Sequence, residues 1–329
     1  MSAPFTAYRI HCTDNTVSGR LETLTLDDLT PGNVVVRVEY SGINYKDALA
    51  ATGAGRILRR FPLVGGVDLA GEVVSSGDSR FQAGDKVVAL CGGLSETCDG
   101  GYAQYARVDA SMLVPLPDNL TTREAMGIGT AGFTAALAIY RFEQNNQRPE
   151  SGPIIVTGAT GGVGSFAIDI LSAAGYEVVA LTGKTEATDY LTTLGATRVL
   201  DRNRIELRGR PLEHAQWAGA IDNLGGDILA WLMRTTQSWG NIASIGLVAS
   251  ASLETTVLPF ILRAVSILGV NMELDAVLRA EIWSRLANDL RPRHIDTIVT
   301  RELPLKELPG CFELYLSGQV LGRTVVRID

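Results

Sequence analysis

Residues 154–184, IIVTGATGGVGSFAIDILSAAGYEVVALTGK, restrict the fold more than any other stretch of the chain. The apolar run at 154–156 breaks at Gly158, Gly161, Gly162 and Gly164. Phe166, Ile170, Leu171 and Ala174 then recur at the spacing of a helix face, Gly175 closes that helix, and 178–181 read as a second buried strand. A strand, tight turn, helix and second strand in this order are the opening unit of a doubly wound parallel sheet. A dinucleotide's pyrophosphate needs bare backbone N–H groups at the helix's positive end, where side chains would hold it off. Thr160, Gly161, Gly162 and Val163 are the expected phosphate turn. Its sequence, Ala159-Thr160-Gly161-Gly162-Val163-Gly164, puts alanine where G-x-G-x-x-G begins with glycine, which leaves a plain tight turn as the other reading.

The end of the second strand distinguishes the two nicotinamide dinucleotides. NAD sites place Asp or Glu there to accept from the ribose 2′-OH, whereas this chain has Thr182, Gly183 and Lys184. A hydroxyl, a glycine N–H and an ammonium suit a 2′-phosphate, so the expected cofactor is NADPH. Two features weigh against this: a solvated-loop role for Lys184, and nearby Glu186. Arg202 is a second candidate for the adenosine phosphate, though Arg204, Arg208 and Arg210 equally suggest a solvated basic loop. Leu247 follows a strand read at 241–246, where a nicotinamide ring would sit.

With 329 residues, two domains are the natural expectation. A net charge of −7 excludes a general basic field for nucleic acid or anionic membranes. No apolar run reaches the ~18 residues of a membrane span, and 1–10 lack the pattern of a secretion signal, so a cytoplasmic protein is expected. Cys12, Cys91, Cys98 and Cys311 are too few and too scattered for a disulfide framework.

The first part of the chain reads as short strands at 5–10, 21–26, 33–40 and 100–106, with a turn followed by a strand at 81–88 and glycine turns between, the pattern of a small β-barrel. Polar groups cluster where one strand ends, at Asn44, Tyr45, Lys46 and Asp47, and Asp68 sits amid apolar and glycine residues. Thr121 to Glu124 match a capping box and start a helix read through Ala138. Downstream, strands and helices alternate through 198–246, as in a parallel sheet.

SGINYKDAL, PLVGGVDLAGEVV, FQAGDKVV, GGYAQYA, GTAGFTAALA and VTGATGGVGS occur in the order and spacing of the medium-chain dehydrogenase/reductase superfamily. The longer series NYKDALAATG, LTGKTEATDYLTTLGATRVLDR, PLEHAQWAGAIDNLGG, TTVLPFILR and GRTVV resembles the acrylyl-CoA reductase (NADPH) family, with YhdH/YhfP-type quinone oxidoreductases, in its zinc-free branch. The resemblance runs almost end to end. It implies an α/β protein with a discontinuous GroES-like β-barrel catalytic domain, 1–123 with 271–329, and a Rossmann-type NADPH domain, 124–270. It also implies a homodimer, for which 265–270 offer an edge strand. Where zinc enzymes of the superfamily carry cysteine and histidine ligands, this chain has Asn44 and Val67-Asp68, so a metal-free centre is expected.

The activity implied is NADPH-dependent reduction of acryloyl-CoA to propanoyl-CoA. The alternatives are a quinone or enone oxidoreductase and a non-catalytic NADPH-binding sensor. Tyr45 is expected at the nicotinamide and substrate, with packing at a helix start as its other reading. Asp68 is expected either to orient Tyr45, Lys46 or substrate, or to make a structural bond to backbone. Arg323, in the terminal strand, is carried over as a cofactor residue. Arg56, Arg59 and Arg60 are expected either to meet CoA phosphates or to form an exposed basic loop.

Overall fold

The computed structural model describes residues 3–329, which form two compact units: 3–130 with 272–287 and 295–329, and 131–271 with 288–294. The helix Thr122–Gln144 begins in the first unit and continues in the second, with non-helical backbone at Gly129.

In the first unit Val34–Ile43 pairs antiparallel with Asp68–Ser76, Tyr105–Val108 and the terminal strand Arg323–Arg327. These belong to a seven-stranded sheet, and a smaller sheet joins Thr16–Leu24, Phe5–Thr13 and Leu63–Val64. Side chains such as Val36, Leu69, Val87 and Val326 fill one core, which is the gain that orders so many short strands. Two details differ from the sequence reading. The hairpin after Thr13 turns through Asp14 and Asn15 with positive φ at both, which extends its return strand to Thr16–Leu24. The segment read as a strand at 100–106 pairs mainly later, at Tyr105–Val108, because Gly100 and Gly101 lie against the backbone of Gly65, Gly66 and Asp68. The capping box is present: Thr121 N–H donates to Glu124 Oε2 at 2.9 Å, and Glu124 N–H to Thr121 Oγ1 at 3.1 Å.

The second unit is a six-stranded parallel sheet. Counting its strands along the chain as Ile154–Thr157, Val178–Thr182, Arg198–Asp201, Trp217–Asp222, Thr236–Ser244 and Ser266–Gly269, the spatial order is third, second, first, fourth, fifth, sixth. The direction of winding reverses between the first and fourth strands, so their carboxyl ends flank the crevice where such sheets take ligands. Ile155, Val179, Ala220 and Ile242 are buried in its core, as strands covered on both faces require. Asp169, 1% exposed on the helix Gly162–Ala173, accepts from the backbone N–H groups of Arg293 and His294 and meets His294 Nδ1 at 2.7 Å. These bonds hold 288–294 in this unit, where the resemblance implied the first. Among the described residues no helix is long and apolar enough to cross a membrane.

Candidate active site

In the first unit the chemistry gathers around Asp68, which is fully buried. The strand Val34–Ile43 ends at Asn44, the N-cap of the helix Tyr45–Thr52. Asn44 and Asp47 form a capping box: Asn44 N–H donates to Asp47 Oδ2 at 2.8 Å. The Asn44 amide nitrogen also reaches Asp47 Oδ2 at 3.2 Å and Asp68 Oδ2 at 2.9 Å. Arg323 closes the cluster, its Nη1 donating to Asn44 Oδ1 at 2.7 Å and to the Ile43 carbonyl at 3.0 Å, while its Nη2 lies 3.4 Å from Asp68 Oδ2.

The break in the helix Thr122–Gln144 is part of this cluster. A helix interrupted at Gly129 leaves carbonyls without their usual donors. Arg323 supplies replacements, from Nε to the Gly127 carbonyl at 3.2 Å and from Nη2 to that of Met126 at 3.4 Å. Beyond the break Thr130 turns to Asp68, donating from its N–H to Oδ2 at 3.1 Å and from Oγ1 to Oδ1 at 2.5 Å. Gly129 has φ 48° and ψ −158°, and a Cβ there would stand 2.4 Å from Arg323 Nη2 and 2.7 Å from Asp68 Oδ2. Only glycine fits both the conformation and the ion pair.

Electrostatics follow from burial. Asp47 is wholly enclosed, and desolvation together with the charge of Asp68 pushes its carboxyl from an ordinary 3.8 up to about 7, against the pull of bonds from Asn44 and Val67. Burial likewise pushes the Cys91 thiol up to about 11, and its Sγ lies 3.6 Å from Thr130 Oγ1. Tyr45 is half-buried at the start of its helix, and its hydroxyl has no protein partner among the described residues.

In the second unit Gly161 caps the helix Gly162–Ala173. A Cβ on Gly164 would come within 2.5 Å of the Gly158 carbonyl and 2.8 Å of Ala159 Cα, so the turn packs directly onto the helix. Backbone N–H groups at the N-terminus of such a helix are suited to an anion. Alanine at 159 is accommodated because that residue is fully buried and points inward. At the next strand end Thr182 is buried, its Oγ1 accepts from Lys184 N–H at 3.0 Å, and it lies 3.5 Å from Thr160 Oγ1. A Cβ on Gly183 would meet Arg202 Nη2 at 3.1 Å, which puts that guanidinium over the glycine. Burial lowers the Lys184 pKa, with Glu186 opposing. At the fourth strand end Asp222 accepts from Thr157 Oγ1 at 2.7 Å and Gly225 N–H at 2.9 Å, and Asn223 Nδ2 donates to the Thr157 carbonyl at 2.7 Å. Leu247 is exposed beyond the fifth strand.

Thr160, Gly161, Gly162, Val163, Thr182, Gly183, Lys184 and Arg202 therefore converge on one end of the sheet. In the other unit Tyr45 follows Asn44, which bonds Asp68. Arg323 differs from its expected place on the cofactor: it is 2% exposed, and its nitrogens meet Asn44, Asp68 and three backbone carbonyls. Arg56, Arg59 and Arg60 are exposed. Sequence reasoning placed Asp47 in a polar cluster without giving it a role, and passed over Thr130. The spacing Asn44-x-x-Asp47 carried the signal of a cap, whereas nothing local marked Thr130.

The family model described as the alcohol dehydrogenase GroES-like domain matches residues 30–118, and the one described as zinc-binding dehydrogenase matches 162–288. The zinc that the second description names finds a poor donor set here. Asn44 and Asp68 are an amide and a carboxylate already bonded to Arg323, Asp47 and Thr130, and among the described residues no three His, Cys, Asp or Glu side chains are grouped to hold a metal. Acrylyl-CoA reductase AcuI of Ruegeria pomeroyi is 45% identical over 311 residues, 94% of each chain. YhfP of Bacillus subtilis, assigned by name to the quinone oxidoreductases, is 45% identical over 330 residues, 100% of each chain. The crystal structure of Escherichia coli YhdH with bound NADPH superposes with a TM-score of 0.95 at 42% identity, covering 98% of this chain and 100% of that one. The chain is therefore a member of the acrylyl-CoA reductase and YhdH/YhfP-type quinone oxidoreductase family of the medium-chain dehydrogenase/reductases.

Proposed function

We propose that this oxidoreductase uses NADPH to reduce the C=C of acryloyl-CoA to propanoyl-CoA without a metal. The observation that carries this reading is the glycine-rich turn at Gly158–Gly164 with Thr182, Lys184 and Arg202 at the adjoining strand end, where the two cations stand near Glu186 and Asp201 and can meet a 2′-phosphate. The names of the relatives supply the substrate class.

Bound NADPH supplies the hydride. The remaining work is to stabilise negative charge on the thioester oxygen as the β-carbon gains that hydride, and to deliver a proton to the α-carbon. Tyr45 is the group proposed to donate a hydrogen bond or proton there, because its hydroxyl is uncommitted and a phenol O–H is a donor. Asp68 is a positioning residue: it anchors Asn44 at the entry to the Tyr45 helix and Thr130 past the helix break. With NADPH deuterated at both C4 positions, the product should carry deuterium at its β-carbon, and a reaction in deuterated water should label the α-carbon. Product labelled from NADPH at the α-carbon would reverse the assigned direction of addition.

A quinone or enone oxidoreductase is the second reading, favoured by the name of YhfP. A homodimer is also proposed. Ser266–Gly269 is the free edge of its sheet, and the neighbouring Val257, Ile261 and Leu262 are more than half exposed. Particles of only ~35 kDa by light scattering at micromolar concentration would remove it.

A further inference from the structure

The loop after the Tyr45 helix has a built shape. Gly55 N–H donates to the Leu49 carbonyl at 3.3 Å, Ile57 N–H to that of Gly55 at 2.9 Å, and Arg59 N–H to that of Glu96 at 2.7 Å. Leu58 is 5% exposed and pins the loop from below. Around this anchor Arg56, Arg59 and Arg60 stay exposed, and none of the three forms an ion pair among the described residues. The carboxylate of Glu96, whose carbonyl bonds Arg59 N–H, is taken by the ammonium of Lys46. Glu96 thus ties two things together: its side chain holds Lys46, the neighbour of Tyr45, and its carbonyl holds the backbone of Arg59. Three guanidinium groups are displayed within five residues beside the proposed catalytic helix, on a protein of net charge −7.

Unpaired cations on a loop with an ordered backbone are a recognition surface for an anion with several oxygens, because guanidinium matches phosphate geometry and the backbone ordering cost is already met by the fold. We propose that Arg56, Arg59 and Arg60 form the site for the phosphates of a CoA thioester, on a loop whose backbone is held by the Glu96 carbonyl. The inference rests on the CoA-thioester reading above. It says that the enzyme recognises the handle of its substrate through these arginines. An acryloyl group offers little apolar area for a pocket, so most binding energy must come from that handle.

The test is a cycle between protein and ligand. With saturating NADPH, KM is measured for acryloyl-CoA and for acryloyl-3′-dephospho-CoA, using the native enzyme and the Arg56→Gln/Arg59→Gln/Arg60→Gln variant. But-3-en-2-one, uncharged and small, reports on folding and chemistry. Each exposed pair is worth a factor of roughly 2 to 5, so the triple variant should raise KM for acryloyl-CoA about tenfold while turnover of the enone is unchanged. The penalty should shrink for the dephospho substrate and in high salt. An unchanged KM for acryloyl-CoA, or an equal rise for both thioesters with no salt dependence, overturns the proposal. Calorimetric binding of free CoA to the NADP⁺-loaded enzyme separates the two layers. If the native enzyme turns over no CoA thioester yet binds CoA through the arginines, the functional reading fails and the site stands.

Discussion

Two clusters, one in each unit, treat charge in opposite ways. In the first, Asp68 and Arg323 are wholly enclosed, and each is matched by the other and by Asn44, Thr130 or backbone carbonyls. In the second, Arg202 lies exposed over Gly183 with no carboxylate paired to it among the described residues. A buried charge must be paired within the protein or the fold is lost, so the first arrangement holds a shape. An exposed cation costs little until an anion arrives, so the second is suited to binding. The same division separates Arg323 from Arg56, Arg59 and Arg60 within the first unit.

The sharpest way to break this contrast is to remove one buried partner. Arg323→Met leaves Asp68 charged and enclosed, and should lower stability in urea unfolding by about 3–5 kcal/mol. Gly129→Ala should also be strongly destabilising, since its Cβ meets the same ion pair in a left-handed conformation. A loss under 1 kcal/mol for Arg323→Met would mean that the pair does not hold the helix break.

Asp47 makes the contrast depend on pH. Its carboxyl loses its proton near 4 in the unfolded chain and near 7 in the folded one, so between these values the unfolded state binds fewer protons and stability falls as pH rises. Asp222, also pushed up by burial, acts in the same direction, while Asp28, Glu39 and Asp78 are lowered and act in the opposite direction at more acid pH. Unfolding free energy measured from pH 5 to 7 should therefore decline, and Asp47→Asn should flatten the slope. An unchanged slope in that variant would assign the effect elsewhere.

On the open side, Lys184→Ala and Arg202→Ala should each reduce kcat/KM for NADPH about tenfold and spare NADH, because a charge-assisted contact contributes about 1.5 kcal/mol or more. Equal losses with both cofactors would point to a folding defect instead of lost phosphate recognition. The smallest effect belongs to a paired charge left in water. Arg123 meets Asp296 at 2.9 Å and Glu302 at 2.8 Å on the surface, yet Arg123→Ala should cost no more than ~1 kcal/mol.

The second unit was the more legible of the two, and the reason is local. Its cradle lies within one strand, turn and helix, and glycine spacing and apolar period record it directly. The cluster in the first unit is assembled from positions 44, 47, 68, 130 and 323, which meet only after the sheet has formed. No pattern along the chain announces that Thr130 bonds Asp68, or that Arg323 replaces the donors missing from a broken helix. Asp68 looked ambiguous as a sequence feature, and the distances show it anchoring Asn44 and Thr130. The hairpin at Asp14-Asn15 was missed for a different reason: both residues tolerate positive φ, but without glycine the turn signal is weak.

The most direct test of the whole account compares kcat/KM for acryloyl-CoA with that for a free quinone, using NADPH and the native enzyme at one salt concentration. The account predicts that acryloyl-CoA is preferred by at least an order of magnitude, with propanoyl-CoA as product. A free quinone reduced more efficiently than acryloyl-CoA would contradict it, and the chain would then be read as a quinone oxidoreductase on the same scaffold.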